Sequence, residues 1–201
     1  MAMYQWLQQH PFDGLLDLIT AYSSLTIVYD PFTIKTIHQP PATIFEWVQD
    51  KALDAYQQSG ADITGTRVQH RIPVCYEAAF APDLEALARQ KQLDPAEVIS
   101  LHTSRLYRVY MIGFLPGFSY MAEVDERIAL NRKEKPVSVL AGGIGIAGLQ
   151  TGIYPLTAPG GWNIIGRTPI KMFNPSSKYP VPLKAGDEVE FYAISASEWP
   201  E

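Results

Sequence analysis

Val137-Ser138-Val139-Leu140-Ala141-Gly142-Gly143-Ile144-Gly145-Ile146-Ala147-Gly148 is the stretch that decides the fold, because its last six residues spell G-x-G-x-x-G after a strand-like run. In a dinucleotide-binding unit those glycines open a helix, and an acidic residue about twenty positions further on holds the ribose. Here Gly152, Pro155 and Pro159-Gly160-Gly161 forbid a helix, and no Asp or Glu occurs between Lys135 and Gly186. The glycines mark tight β-turns and close backbone approach instead. No G-x-x-x-x-G-K-[ST] segment occurs, which excludes a Walker A phosphate loop.

Outward from this stretch the pattern stays β. Tyr107-Arg108-Val109-Tyr110-Met111-Ile112 alternates, Asn174-Pro175-Ser176-Ser177 is a turn, and Asp187-Glu188-Val189-Glu190-Phe191-Tyr192 is a last strand. Many short strands separated by Gly and Pro favour a closed barrel over an open α/β sheet. Ahead of them, Asp83 begins a helix to about Gln92. Asp94-Pro95-Ala96-Glu97 supplies an N-cap, a first-turn proline and an acid for a second helix to about Thr103. Thr66 to Val74 is strand-like, and the small polar Ser59-Gly60-Ala61-Asp62 before it is a linker.

The domains are therefore expected at 1–62 and 63–201. In the first, apolar residues at Trp6, Leu7, Phe12, Leu15, Leu16, Leu18 and Ile19 predict one or two short helices, bent by Pro11 and Gly14. Ser24 to Asp30 is a strand ended by an Asp30-Pro31 turn, and Ala42 to Gln58 a helix. The fold class is α+β.

The chain has 201 residues, 47% of them hydrophobic and 18% charged, which suits one large or two small globular domains. A net charge of -5 and a pI near 5.4 exclude phosphate-backbone binding as the main task, so no nucleic-acid partner is expected. Cys75 is the only cysteine; it excludes an intrachain disulfide and is expected as a buried small hydrophobe. The opening residues lack a basic segment followed by an apolar one, and no apolar run is long enough to span a membrane. A cytoplasmic protein without a membrane partner is expected.

Candidate site residues concentrate around the acid-free segment, whose Lys135, Arg167, Lys171, Lys178 and Lys184 make it locally basic. Glycine-rich backbone at Gly142, Gly143 and Gly145 can line a concavity for phosphate or carboxylate, and an Arg can clamp the same group. Arg167 should meet an anion, either a ligand or a structural salt-bridge partner. His102, at a helix end, serves either as acid, base or phosphate contact near neutral pH, or as a helix cap. Gln150, Thr151 and Tyr154 offer donors beside glycines, as a pocket or as turn contacts. Arg132 opens the charged run Arg132-Lys133-Glu134-Lys135, either an anion contact or a solvated face. Phe114, Phe118, Tyr120 and Trp162 are core, pocket or partner-contact aromatics. His10, His38 and His70 are scattered and receive no role.

Three stretches together resemble the B component of bacterial-type 5-oxoprolinase. They are Gly113-Phe114-Leu115-Pro116-Gly117-Phe118-Ser119-Tyr120, Gly145 to Pro155 with Gly148-Leu149-Gln150-Thr151-Gly152 at its centre, and Pro159-Gly160-Gly161-Trp162-Asn163-Ile164-Ile165-Gly166-Arg167-Thr168-Pro169. The resemblance extends through Leu101-His102-Thr103-Ser104 and covers nearly the whole chain. The same family includes the sporulation kinase inhibitor KipI and proteins called allophanate hydrolase subunit 1, and is similar to part of the carboxyltransferase region of urea carboxylase.

That resemblance implies a small N-terminal α/β sandwich domain, here starting without the usual first strand, and a C-terminal cyclophilin-like β-barrel. It implies ATP-dependent opening of 5-oxoproline to glutamate, with a homologue of the C component of 5-oxoprolinase as direct partner and the A component completing the complex. ATP with Mg is the cofactor of that complex, and this chain is expected to be inactive alone. His102 and Arg167 are the expected catalytic residues, Arg167 and the glycine loop neutralising charge that develops as the lactam is phosphorylated. Where family members usually have Pro-Ala-Gly-Ser this chain has Leu140-Ala141-Gly142-Gly143, so a hydroxyl is missing beside the loop. The alternative is a KipI-like inhibitor that docks on a sensor histidine kinase. A fragment of a biotin-dependent carboxyltransferase is the third reading, and no carrier lysine motif accompanies it.

Overall fold

The structure, a computed structural model, describes residues 2–59 and 68–200, and the chain divides into two compact units, Met1–Thr66 and Arg67–Glu201. The expected boundary between residues 62 and 63 lies outside the described residues, as do the linker beyond Ser59 and the start of the expected Thr66 strand.

The first unit contains α1 (Ala2–Gln9), β1 (Leu15–Thr20), β2 (Leu25–Tyr29), α2 (Pro31–His38) and α3 (Ile44–Gln58). Its two strands pair antiparallel. The apolar run expected to stay helical to Ile19 does not. Gly14 takes φ +95°, and a Cβ there would lie 2.7 Å from the Ile34 side chain. The chain then leaves α1 and enters β1, whose leucines pair with β2. Asp30-Pro31 also differs from expectation: it starts a helix rather than a simple turn. The Asp30 carboxylate accepts the Phe32 amide at 2.9 Å and the Thr33 hydroxyl at 2.5 Å, and Pro31 occupies the first helical position. At the head of α3, Thr43 and Glu46 form a reciprocal capping box.

The second unit runs β3 (Gln69–Cys75), α4 (Leu84–Lys91), α5 (Pro95–Thr103), β4 (Leu106–Ile112), β5 (Ser119–Ala122), β6 (Val137–Val139), β7 (Gly143–Ala147), β8 (Gln150–Ile153), β9 (Ala158–Gly160), β10 (Asn163–Arg167) and β11 (Glu188–Ile194). Seven strands close a barrel in the order β10-β3-β11-β4-β5-β8-β7, and β6 pairs with β9 in a separate ribbon. Thus the G-x-G-x-x-G segment is strand β7 and a turn at Gly148, φ +61°, leading into β8. Among the described residues, only β3 and β11 run parallel within the barrel.

Alternation along the strands sorts two buried groups. Ile72, Val74, Tyr107, Val109, Ile144, Ile146, Val189 and Phe191 fill one core together with Leu84 and Leu87 of α4 and Val98 of α5. Phe118, Val139, Tyr154, Trp162 and Ile164 form a second apolar cluster. Cys75 is a fully buried free thiol, as expected of a small hydrophobe. No helix among the described residues is long and apolar enough to cross a membrane.

The barrel closes where β3 meets β10, and the two strands pair there through Arg167 and Cys75. Asp83 extends the seam beyond them. Its amide donates to the Ile164 carbonyl at 2.9 Å, and its carboxylate accepts the Ile164 amide at 2.6 Å. A side-chain oxygen thus stands in for a strand neighbour's carbonyl, on the β10 stretch where the register with β7 shifts between Ile164 and Gly166.

Gly142 and Gly148 both have positive φ, but only Gly142 is crowded: a Cβ would run into the Thr168 carbonyl, whereas nothing lies within 4 Å at Gly148. Gly148→Ala is expected to cost about 1–2 kcal/mol from backbone strain alone. Gly142→Ala adds a backbone clash and is expected to cost more than about 3 kcal/mol. Urea denaturation of the two variants measures the difference.

Candidate anion pocket beside the barrel seam

Around the seam the second unit forms a cavity of about 440 Å³. Phe80, Pro82, Val137, Leu140 and Ile164 give it apolar walls, and Asp83, Lys133, Ser138 and Arg167 supply its polar groups. A few polar groups in a mostly apolar concavity is the usual make-up of a small-molecule site. Lys133 Nζ donates to the Asp83 carboxylate at 2.6 Å, on the same oxygen that takes the Ile164 amide. The Lys133 backbone is tied down as well, its amide donating to the Gly161 carbonyl at 2.7 Å.

Arg167, at the end of β10, meets no carboxylate among the described residues. Its Nε donates instead to the Ala141 carbonyl at 2.8 Å, and its guanidinium carbon lies 5.5 Å from the Trp199 ring centroid. Among the described residues no ion pair involves Arg167. The structural salt bridge considered for it is therefore absent there. A guanidinium with Nε committed keeps its terminal N–H groups for an anion.

The glycine loop does not form the expected anion cradle. Ala141 N–H donates to the Thr157 hydroxyl at 3.1 Å, Gly142 N–H to the Tyr154 carbonyl at 2.7 Å, and Gly143 N–H to the Leu140 carbonyl at 3.0 Å. Three successive amides are committed inside the protein, so none is left to converge on phosphate as a backbone nest requires. Glycine is needed here for packing. Gly143 lines the cavity, where a Cβ would sit 2.8 Å from Val139, and at Gly145 a Cβ would lie 2.9 Å from Trp162. No group of three or more metal-ligating side chains occurs among the described residues.

His102 and Thr151 are not in the cavity. His102 is fully buried, its Nδ1 2.8 Å from the Tyr76 hydroxyl and its Nε2 3.1 Å from the Thr151 hydroxyl. Thr151 donates to the Gly145 carbonyl at 3.1 Å. Its single proton is thereby used, so it accepts from His102 Nε2–H, and Nδ1 accepts from Tyr76 O–H. Burial away from water pushes the His102 pKa down to about 3. A neutral, enclosed imidazole does not transfer protons near neutral pH, and it caps no carbonyl through its ring; both sequence expectations for His102 give way to a structural one.

The remaining candidates scatter. Tyr154 is buried in the second apolar cluster with Phe118 and Trp162, and its hydroxyl bonds with the Trp162 backbone. Gln150 is partly buried on β8, opposite Ala122 and Ala147. Arg132 is exposed, and its guanidinium would come 3.6 Å from a Cβ on Gly161. Phe114 is exposed with φ +70° and packs edge-on against Phe118. Of the expected residues, Arg167 and Gly143 line the pocket and the others do not. Sequence reasoning misses Asp83 and Lys133: the first reads only as the start of a helix, where its side chain makes no cap bond, and the second as part of a charged run.

Residues 1–183 match the family described as carboxyltransferase domain, subdomain C and D, and the chain belongs to that family. Within it, the chain is 42% identical over 200 residues to the B component of 5-oxoprolinase from Bacillus subtilis (strain 168), covering 98% of this chain and 83% of that protein. The conserved uncharacterized protein PH0987 from Pyrococcus horikoshii has a solved structure that is 39% identical with a TM-score of 0.64, covering 99% of this chain and 88% of that one. The solved structure of TTHA0988 is 34% identical with a TM-score of 0.79; all of this chain matches, over 37% of that longer chain.

The histidine leaves a pH signature. Folded His102 stays neutral down to about pH 3, while in the unfolded chain it takes up a proton below about pH 6.5. The unfolded state therefore binds more protons as pH falls, and this contribution to stability, complete above pH 6.5, is lost on acidification. Between pH 7 and pH 5 the loss is about 2 kcal/mol. His102→Gln is expected to be less stable at pH 7 and to show a pH dependence shallower by that amount, read by urea denaturation at the two pH values.

Proposed function

We propose that this chain is the B component of an ATP-dependent 5-oxoprolinase, which converts 5-oxoproline to glutamate in the cytoplasm. A homologue of the C component is its direct partner and the A component completes the reaction; the chain has no activity alone. The observation that carries this is the 42% identity to a 5-oxoprolinase B component over nearly the whole chain. The cavity beside the seam is the part of this chain that meets substrate. Its apolar walls suit the methylene face of a small ring, and Arg167 supplies a cation for an acid.

Within the complex, this chain's residues bind and orient. Arg167 holds the anionic part of the substrate, and the Asp83–Lys133 pair holds the wall formed by β10 in place. ATP with magnesium serves the assembled complex as its energy source; the loop at residues 141–143 offers it no free amide. The names of the relatives favour the oxoprolinase reading over a kinase-docking one.

The test is co-purification with the C-component homologue, addition of the A component and ATP, and measurement of glutamate released from 5-oxoproline. Release is expected, and a complex that assembles but releases none overturns the assignment. Arg167→Ala is expected to lower kcat/KM by roughly 10- to 100-fold without disrupting assembly, as for loss of a hydrogen bond to a charged group.

A further inference from the structure

We infer that the pocket beside the seam is a receptor for a single carboxylate, the one carried by 5-oxoproline, and not for a phosphoryl group or the nucleotide. This rests on the proposed oxoprolinase role and says which chemical group of that reaction this chain holds.

Charge comes first. The cavity lining carries one acid, Asp83, and two bases, Lys133 and Arg167. Lys133 is neutralised by Asp83 at 2.6 Å, which leaves Arg167 as the single uncompensated charge among the lining residues. One positive charge matches one carboxylate. A phosphoryl group at pH 7 carries about 1.5 to 2 negative charges and three acceptor oxygens, and proteins meet it with several cations or converging amides.

Donor geometry gives the second reason. The amides of Ala141, Gly142 and Gly143 all donate internally, so the loop adds no backbone donor. Arg167 Nε is committed to the Ala141 carbonyl, leaving the terminal N–H groups as a two-pronged donor. Such an end-on fork fits the two oxygens of a carboxylate. Apolar contacts from Phe80, Pro82, Val137 and Leu140 then face the rest of the ligand, where a ring with methylene groups gains from burial and a polyphosphate does not.

Asp83 sets this preference. Were its charge removed, Lys133 would be free and the lining would carry two positive charges. Asp83→Asn keeps an oxygen acceptor for the Ile164 amide, so the seam is retained while the charge changes.

Calorimetric titration of the chain co-purified with its C-component homologue tests the inference with four probes: 5-oxoproline, its neutral carboxamide, inorganic phosphate and ATP. The carboxamide is expected to bind roughly 10- to 100-fold more weakly than the acid, and that difference is expected to collapse in Arg167→Gln. Phosphate and ATP are expected not to displace 5-oxoproline from the native protein, and phosphate is expected to bind better to Asp83→Asn. Equal binding of acid and carboxamide, an acid preference that survives Arg167→Gln, or phosphate displacing 5-oxoproline through Arg167 overturns the carboxylate assignment. Any of these in a complex that still releases glutamate leaves the oxoprolinase role standing, whereas a complex that releases none removes the role itself.

Discussion

The Asp83 carboxylate ties the start of α4 to β10 beside the point where the barrel closes. A barrel has no free edge only if every neighbouring pair of strands is joined, and β3 and β10 meet at Arg167 and Cys75. Beyond that point the Ile164 amide is satisfied by a side chain, in a charge-assisted bond of 2.6 Å, while the Asp83 amide returns the bond to the Ile164 carbonyl. Because the same oxygen also binds Lys133, the carboxylate enters a partly buried position with its charge compensated. The start of α4, the segment before β6 and strand β10 are thereby held at one point. The pocket exists because those three segments meet there.

A second constraint lies inside the barrel. His102 joins α5 to the β7–β8 hairpin through Thr151 and to the segment after β3 through Tyr76, and the Tyr107 hydroxyl donates to the His102 carbonyl at 2.8 Å. Every polar atom of the imidazole is satisfied, which is the condition under which a polar group sits in an apolar core without a large penalty. The ring also stacks on Phe191, 4.7 Å between centroids. Histidine provides a flat surface for packing and two directional bonds, and its low pKa is the consequence of that setting. A shifted pKa here marks burial, with no opening to a cavity.

Much of the architecture is legible from local chemistry. Glycine and proline spacing excludes a helix after Gly148, alternation identifies β4, and Asp94-Pro95 marks the start of α5. These signals survive because turn dihedrals, strand alternation and the first helical turn depend on residues within a few positions. Leu15, Leu18 and Ile19 mislead for a different reason. They fit a helical spacing, but Gly14 turns the chain and β2 lies ready to pair, so tertiary pairing overrides the pattern. Asp30-Pro31 suits a turn and a helix start equally; in the structure the Asp30 carboxylate caps a helix through the Phe32 amide and the Thr33 hydroxyl.

The sequence by itself determined that the second unit is a β-barrel rather than a nucleotide-binding βαβ fold, and that Arg167 is a cation in an acid-free neighbourhood. Family membership is also written in its motifs. Only the tertiary structure decided that Lys133 answers Asp83 across 50 positions, and that Asp83 bonds to Ile164 across 81. It alone decided that the loop amides are committed and that His102 is sealed from water. Charge balance and hydrogen-bond satisfaction are sums over neighbours in space, and a chain that closes a barrel brings together residues whose separation in sequence carries no trace of the contact.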